Sequence, residues 1–297
     1  MEYVERCEPM TSAYLPSPPP AVWYLGSLTI RASVLVALAA IVIGARLTAR
    51  RWVARGGRRE EVIDIAIRAG AFTLVGGRLA QVLSHPLRYF GGGASPLRAA
   101  YVWDGRIGFW GAMLFGALGM WTACRRKGIA LADFADALAP GLVLALGIGC
   151  WGNYLNQTSY GRPTAMPWAI RIDPAHRLAT TADTAFYQPI FLFESACDVG
   201  IALLLIWIDR RWRPRRGRLF AIYMVCFTLT REAVGALETD NAGRIAGLGL
   251  DDWGALLAFL GALIFLWSPS GRAVPGDDAL ETVTDGLPAG QSHNDAA

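Results

Sequence analysis

Seven long apolar stretches constrain what this chain can fold into more than any other feature of its sequence. Each holds 16 or more mostly apolar residues, about the length that crosses the hydrocarbon core of a bilayer as a helix. Backbone polar groups find no water there, so a spanning segment must bond them within a helix. The sequence therefore predicts an all-α polytopic membrane protein with about seven transmembrane helices. They cover roughly residues 27–45, 62–82, 107–124, 131–150, 188–208, 219–237 and 252–268.

Basic residues concentrate in the loops that follow the first, third and fifth stretches. With seven spans these three loops share one side, and the positive-inside rule makes that side cytoplasmic. We therefore expect the N-terminus outside and the C-terminus in the cytoplasm. Nucleic-acid patches are the alternative interpretation, but topology accounts for every run, so no nucleic-acid partner is expected. The loops hold 15 of the 28 basic residues: Arg46, Arg50, Arg51, Arg55, Arg58, Arg59, Arg125, Arg126, Lys127, Arg210, Arg211, Arg213, Arg215, Arg216 and Arg218.

The two ends of the chain differ in composition from the apolar region between them. Residues 1–20 end in a Pro-rich run and predict a disordered lead, and residues 269–297 predict a disordered cytoplasmic tail. Residues 21–268 form the predicted membrane domain. The five cysteines have no CxxC or Cys/His spacing, so neither a disulfide framework nor a zinc site is predicted. We expect no metal and no cofactor.

The stretch 147–164 changes abruptly from apolar to polar where the fourth span ends. It carries Asn153 and Asn156, and glycines such as Gly161 that allow close backbone approach. Amides without partners in hydrocarbon cost several kcal/mol, roughly, so this stretch must face water, other polar groups or a polar ligand. The predicted topology places it at the outer face of the membrane.

Several ionisable residues lie inside the apolar stretches, where charge is costly and usually paired or functional. Arg78, Glu194 and Arg231 fall toward the outer side, and we expect them to line one polar cavity that opens outward. The planar guanidinium suits a phosphate, which at that depth means a phospholipid headgroup. The alternative is that Glu194 and Asp198 pair with these arginines only to hold helices together.

Two aspartates near the cytoplasmic start of the fourth span have a simpler interpretation. Asp133 and Asp136 are predicted to flank or cap a helix N-terminus, where the helix dipole favours negative charge. Their expected partners are the basic residues of the preceding loop, Arg125, Arg126 and Lys127.

The stretch 147–164 resembles the signature of bacterial prolipoprotein diacylglyceryl transferases, which reads Gly-Arg-x-Gly-Asn-x-x-Asn-x-Glu-x-x-Gly and is commonly followed by Arg-Pro-Thr. The resemblance continues in order over about residues 21–268. It includes Gly76-Gly77-Arg78-Leu79, Trp110-Gly111, Pro189 to Glu194, and Gly217 to Phe220 with Arg231. The positions that match the signature in register are Gly149, Gly152, Asn153, Asn156, Gly161, Arg162, Pro163 and Thr164.

The resemblance implies a multi-pass protein of the bacterial plasma membrane. Its implied activity is transfer of diacylglyceryl from phosphatidylglycerol to the lipobox cysteine thiol of a prolipoprotein, with glycerol phosphate leaving. The implied partners are phosphatidylglycerol, the prolipoprotein signal peptide and the lipid bilayer. Mapped onto this chain, the catalytic residues are Arg231, Asn153 and Glu194. The residues implied to bind phosphatidylglycerol are Arg78, Cys150, Asn153, Asn156, Gly161 and Gly111.

Five positions depart from the family pattern by losing a charge or an ionisable hydroxyl. Cys150 and Thr158 replace the signature Arg and Glu. Ser33 and Phe227 replace tyrosines, and Gly235 replaces a glutamate. These departures support an alternative to the transferase, namely a catalytically silent paralogue that binds phospholipid or preprotein without turnover.

Overall fold

The structure is a computed structural model. It describes residues 15–16, 22–25, 28–90, 108–177, 183–212, 214, 216–237, 244–245 and 248–267. The predicted tail and most of the predicted lead lie outside these ranges.

Helices dominate the described residues, and each predicted span overlaps one long helix. Three of them, α1, α5 and α6, are long and apolar enough to cross a membrane by length and composition. The prediction of a mostly helical protein is confirmed, whereas the number of spans and their orientation stay predictions. The helices are α1 (Ala32–Val53), α2 (Arg59–Ser84), α3 (Pro86–Phe90), α4 (Phe109–Arg126), α5 (Leu131–Asn156), α6 (Ile190–Trp212), α7 (Arg218–Gly235) and α8 (Leu250–Trp267).

Short strands were not expected in an all-α chain, and the described residues include three antiparallel pairs of them. They lie before α1 or between helices, where backbone outside a helix still needs hydrogen-bond partners. The first pair delays the start of α1 to Ala32, five residues after the predicted start of the first span. The pairs are β1 (Val22–Leu25) with β2 (Leu28–Arg31), β3 (Ile170–Arg171) with β4 (Phe186–Tyr187), and β5 (Arg244–Ile245) with β6 (Leu248–Gly249).

Helix α5 is the centre of the bundle, because it packs against α1, α6 and α7. On one side Val143 lies in a core with Leu205 of α6 and Tyr223 of α7. On the other side Gly44 of α1 faces Gly141 of α5, and a Cβ on Gly44 would lie 2.6 Å from the Gly141 carbonyl oxygen. Small residues of this kind let membrane helices approach closely.

Ion pairs join the basic loops at one end of the bundle. Arg51 and Arg55, from the end of α1 and the loop after it, both bind Asp209 at the end of α6, at 3.1 and 2.8 Å. Lys127, after α4, binds Asp64 at the start of α2 at 2.6 Å. The loops that the sequence assigned to one side of the membrane therefore lie at the same end of the structure.

The two aspartates at the start of α5 have partners other than the predicted ones. Asp133 binds Arg216 at 3.1 Å. The buried carboxylate of Asp136 accepts hydrogen bonds from the backbone N–H groups of Gly217 and Phe220, at 2.7 and 2.8 Å. Asp136 thus caps α7 instead of contacting the loop at Arg125–Lys127, because that loop leads out of α4 while α7 begins beside α5. The prediction that an aspartate here caps a helix N-terminus is confirmed. The predicted partners, Arg125, Arg126 and Lys127, are wrong.

Glu61, one residue before the predicted second span, connects the start of α2 to the end of α1 through hydrogen bonds. Its carboxylate accepts hydrogen bonds from the Arg58 backbone N–H at 3.0 Å and from Trp52 Nε1 at 2.8 Å. These donors hold the pKa of Glu61 below its usual value, with the Arg58 backbone hydrogen bond as the largest cause.

The opposite end of the bundle carries a folded connection between α5 and α6. Gln157 follows α5 with φ of 50°, a left-handed conformation, and exchanges two hydrogen bonds with Asp173 at 2.7 and 2.9 Å. Leu15, within the lead that was predicted to be disordered, pairs with Ile170 of β3. The Tyr154 hydroxyl also donates to the Pro16 carbonyl at 2.9 Å, so this part of the lead is bound to the connection.

Candidate functional site

A cavity of about 430 Å³ lies between α1, α5, α6 and α7, at the end away from the basic loops. Its polar residues come from the last turns of α5, the first turns of α6 and the last turns of α7. They are Cys150, Asn153, Glu194, Asp198, Thr230 and Arg231.

An ion pair between α6 and α7 dominates the polar wall of the cavity. Arg231 Nη1 donates to Glu194 Oε1, and the Cys150 thiol lies 3.6 Å from Glu194 Oε2 as a second donor. The Arg231 side chain is 51% exposed whereas that of Glu194 is 12% exposed. The guanidinium therefore has donor groups left for a ligand, while the carboxylate is enclosed by the protein.

Asn153 reaches the cavity because α5 continues beyond the predicted end of the fourth span, to Asn156. It follows Cys150 by about one turn, and its backbone carbonyl accepts a hydrogen bond from the Thr158 N–H at 3.0 Å. The left-handed Gln157 makes this closure possible. The helix end thus places Asn153 in the cavity wall beside Cys150 and Gly149.

The rest of the wall is apolar and small. Ala37, Ala40 and Ile41 come from α1, and Leu142 and Leu146 come from α5. Ile41 and Leu146 are also exposed on the outside of the bundle. The cavity therefore joins a charged end to an apolar surface, which is the arrangement that an amphipathic ligand such as a phospholipid requires.

The structure separates the other predicted arginine from this cavity. Arg78 is buried in α2, with its guanidinium 5.2 Å from the centre of the Tyr89 ring. Of the three charged residues expected in one cavity, the described structure brings together Glu194 and Arg231 and leaves Arg78 out of the lining. The reason is that α2 packs against α4, whereas α6 and α7 pack against α5.

Three further residues assigned to lipid binding also lie outside the lining of this cavity. Asn156 is exposed on the last turn of α5. Gly111 lies where α4 crosses α2, and a Cβ there would come within 2.4 Å of the Gly76 carbonyl oxygen. Gly161 holds the connection against the start of α6, because a Cβ would lie 2.9 Å from both the Gln188 Cβ and the Leu237 carbonyl oxygen. The two glycines are therefore placed where close packing needs them.

Sequence reasoning missed several residues of the lining. Asp198 is the most prominent, since it is only 5% exposed and lies one turn beyond Glu194 on α6. The four-residue spacing of two acidic residues in an apolar helix was the available signal. The residues of α1 gave no such signal, because an alanine that lines a cavity looks like any other alanine of a membrane helix. In the described ranges, no group of three or more His, Cys, Asp or Glu side chains is arranged to hold a metal ion.

Comparison with known proteins shows the family to which the chain is similar. The profile of a family described as Prolipoprotein diacylglyceryl transferase matches residues 20–268. Phosphatidylglycerol–prolipoprotein diacylglyceryl transferase 2 of Streptomyces coelicolor is 46% identical over 257 residues, which are 86% of this chain and 81% of the relative. The phosphatidylglycerol–prolipoprotein diacylglyceryl transferase of Rhodococcus jostii is 41% identical over 278 residues, 89% of this chain and 77% of the relative.

Proposed function

The chain belongs to the prolipoprotein diacylglyceryl transferase family, and from this membership we propose that it transfers diacylglyceryl from phosphatidylglycerol to a prolipoprotein. The acceptor is the thiol of the lipobox cysteine. Its sulfur bonds to the glyceryl carbon, the bond from that carbon to the phosphate oxygen breaks, and glycerol phosphate leaves. The thiol proton passes to a base. The names of the relatives do not favour the alternative, a silent protein that binds lipid without turnover.

The observation that carries the proposal is the composition of the cavity wall. A guanidinium with exposed donor groups stands at one end, and an apolar wall open to the outside of the bundle stands at the other. Arg231 is suited to the lipid phosphate, because its donors match phosphate oxygens in pairs. The small side chains of Ala37 and Ala40, with Ile41 and Leu146, would accommodate the acyl chains.

Four of the polar residues in the lining have a role in this scheme. Arg231 stabilises the negative charge that develops as glycerol phosphate leaves, which is electrostatic catalysis by a prepositioned donor. The Asn153 amide supplies a neutral donor on the same side. Glu194, which keeps its ion pair with Arg231 while the other guanidinium donors contact the lipid phosphate, would accept the thiol proton as the general base. Cys150, which donates to Glu194 in the same wall, would contact the lipid phosphate.

The remaining predictions about the site and the topology stay proposals. We propose a multi-pass protein of the bacterial plasma membrane with seven spans, the N-terminus outside and the C-terminus in the cytoplasm. The signal peptide with its lipobox cysteine would enter from the bilayer. Arg78, Asn156, Gly161 and Gly111 would contribute to substrate binding outside the described cavity.

Transfer of diacylglyceryl to a synthetic lipobox peptide, measured with purified protein and phosphatidylglycerol, tests the proposal. Arg231→Ala should lower the rate by about 10²- to 10³-fold, as the loss of one prepositioned charged donor does. Arg210→Ala is the matched control, because it removes an exposed arginine at the other end of α6. Wild-type protein that transfers nothing, or an Arg231→Ala variant as active as the control, would overturn the proposal.

A further inference from the structure

Asp198 has a buried carboxylate that receives no hydrogen bond from the part of the chain that the structure describes. It is only 5% exposed, it lines the cavity, and within the described ranges no donor group reaches its carboxylate. Burying a charged group without a partner is costly, and native structures seldom tolerate it without a reason. The carboxylate is therefore directed at the space that the ligand would occupy.

The neighbouring carboxylate, that of Glu194, has a hydrogen-bond donor at each oxygen. Glu194 has Arg231 at one oxygen and the Cys150 thiol at the other. Donors of this kind favour the ionised form of a carboxyl group, whereas burial without donors favours the protonated form. Of the two acidic residues in the cavity, Asp198 is therefore the one that lacks a donor among the described residues, and it is the one to which we expect a proton to bind.

The charges around the cavity lead to the same assignment. Arg231 on α7 is the cation of the described lining, and Glu194 and Asp198 on α6 are its anions. Cys150 of α5 and Tyr223 of α7 also lie near Asp198, and the residues of α1 in the lining are apolar. A phospholipid with one negative charge on its phosphate would make three anions against one guanidinium. Such an excess is relieved if one carboxylate takes up a proton.

We propose that Asp198 carries a proton whenever the anionic donor lipid occupies the cavity, so that the lipid and one proton bind together. This inference rests on the proposed function, since it takes phosphatidylglycerol to be the ligand. Asp198 would contact the lipid as a neutral acid that donates a hydrogen bond. Linkage then requires that the affinity for the lipid depend on pH, and that the affinity for the proton rise when the lipid binds.

The test measures binding of the short-chain lipid dihexanoyl-phosphatidylglycerol to detergent-purified protein by calorimetry, from about pH 6 to about pH 9. Wild-type affinity should fall toward high pH, with a limiting slope of about tenfold per pH unit for one linked proton. Asp198→Asn keeps the shape of the side chain and, like the protonated acid, can donate a hydrogen bond. Its affinity for the lipid should not change with pH. This variant should also bind at least about tenfold more tightly than wild type at the alkaline end. Asp183→Asn makes the same chemical change at an exposed position and should keep the wild-type slope.

A second measurement needs no variant. Heats of binding to the wild-type protein in two buffers of different ionisation enthalpy give the number of protons taken up, which should approach one at the alkaline end. No proton uptake, or a slope that persists in Asp198→Asn, would overturn the role of Asp198 and leave lipid binding intact. Absence of binding at every pH in both proteins would overturn the proposed function, and this inference with it.

Discussion

The crossing of α1 and α5 makes a specific prediction about stability, because it leaves no room for a side chain at Gly44. A Cβ there would lie 2.6 Å from the Gly141 carbonyl oxygen and 2.9 Å from the Ala145 Cβ, whereas ordinary contacts begin near 3.4 Å. In Gly44→Ala the two helices must therefore separate by about 0.8 Å or distort. Overpacking of this kind typically costs about 1–3 kcal/mol.

The same substitution also brings a gain, since alanine is a better helix former than glycine by about 0.5–1 kcal/mol. The net destabilisation of Gly44→Ala is therefore about 1 kcal/mol, within a range of about 0–2.5 kcal/mol. For a chain of this size each kcal/mol lowers the midpoint of thermal unfolding by about 2–4 °C. Because α1 supplies Ala37, Ala40 and Ile41 to the cavity wall, the diacylglyceryl transfer rate should also fall.

Gly70→Ala is the matched control, because Gly70 lies inside α2 and a Cβ there would meet no neighbouring heavy atom within 4 Å. That variant gains the helix propensity without the overpacking and should unfold slightly above the wild type. Tryptophan fluorescence during heating in detergent gives both midpoints. If Gly44→Ala melts at or above the temperature of Gly70→Ala, the close approach of α1 and α5 does not exist and the reasoning fails.

Two further predictions concern the end of the bundle that carries the basic loops. Asp136→Ala removes the acceptor for two backbone N–H groups at the start of α7 and should cost about 2–3 kcal/mol, with Asp136→Asn costing less. Equal melting temperatures for these variants and the wild type would contradict the cap. Glu61 has a lowered pKa, so its contribution to stability is present above the unfolded-state value of about 4.3 and is lost as the pH falls through the folded-state value. Glu61→Gln should therefore flatten the dependence of the melting temperature on pH below about 5, and an unchanged profile would contradict this linkage.

The helices were largely predictable because the bilayer leaves little choice. Each apolar run is long enough to require a helix, and all seven runs overlap helices in the structure. Their ends were less predictable, since α5 continues to Asn156 and the backbone of Leu28–Arg31 pairs as a strand before α1. At such ends the apolar pattern stops, and local hydrogen bonds decide where the helix begins or ends.

The candidate site could be predicted only in part. Membership of the family followed from motifs that are local in sequence, such as the stretch 147–164, and the comparisons confirm it. The residues that share a cavity did not follow, because Arg78 and Arg231 have the same chemistry and both lie in apolar helices. Only the packing of α2 on α4, and of α6 and α7 on α5, separates them.

The positions of the helices, the basic character of certain loops and the family of the chain all follow from the amino-acid sequence alone. These properties depend on composition and order along the chain. The tertiary structure decided which side chains meet: Glu194 with Arg231, Asp136 with the start of α7, and Asp198 with the cavity. The physical reason is that hydropathy gives the position of a residue along a helix, whereas the direction in which it faces depends on which helices pack together.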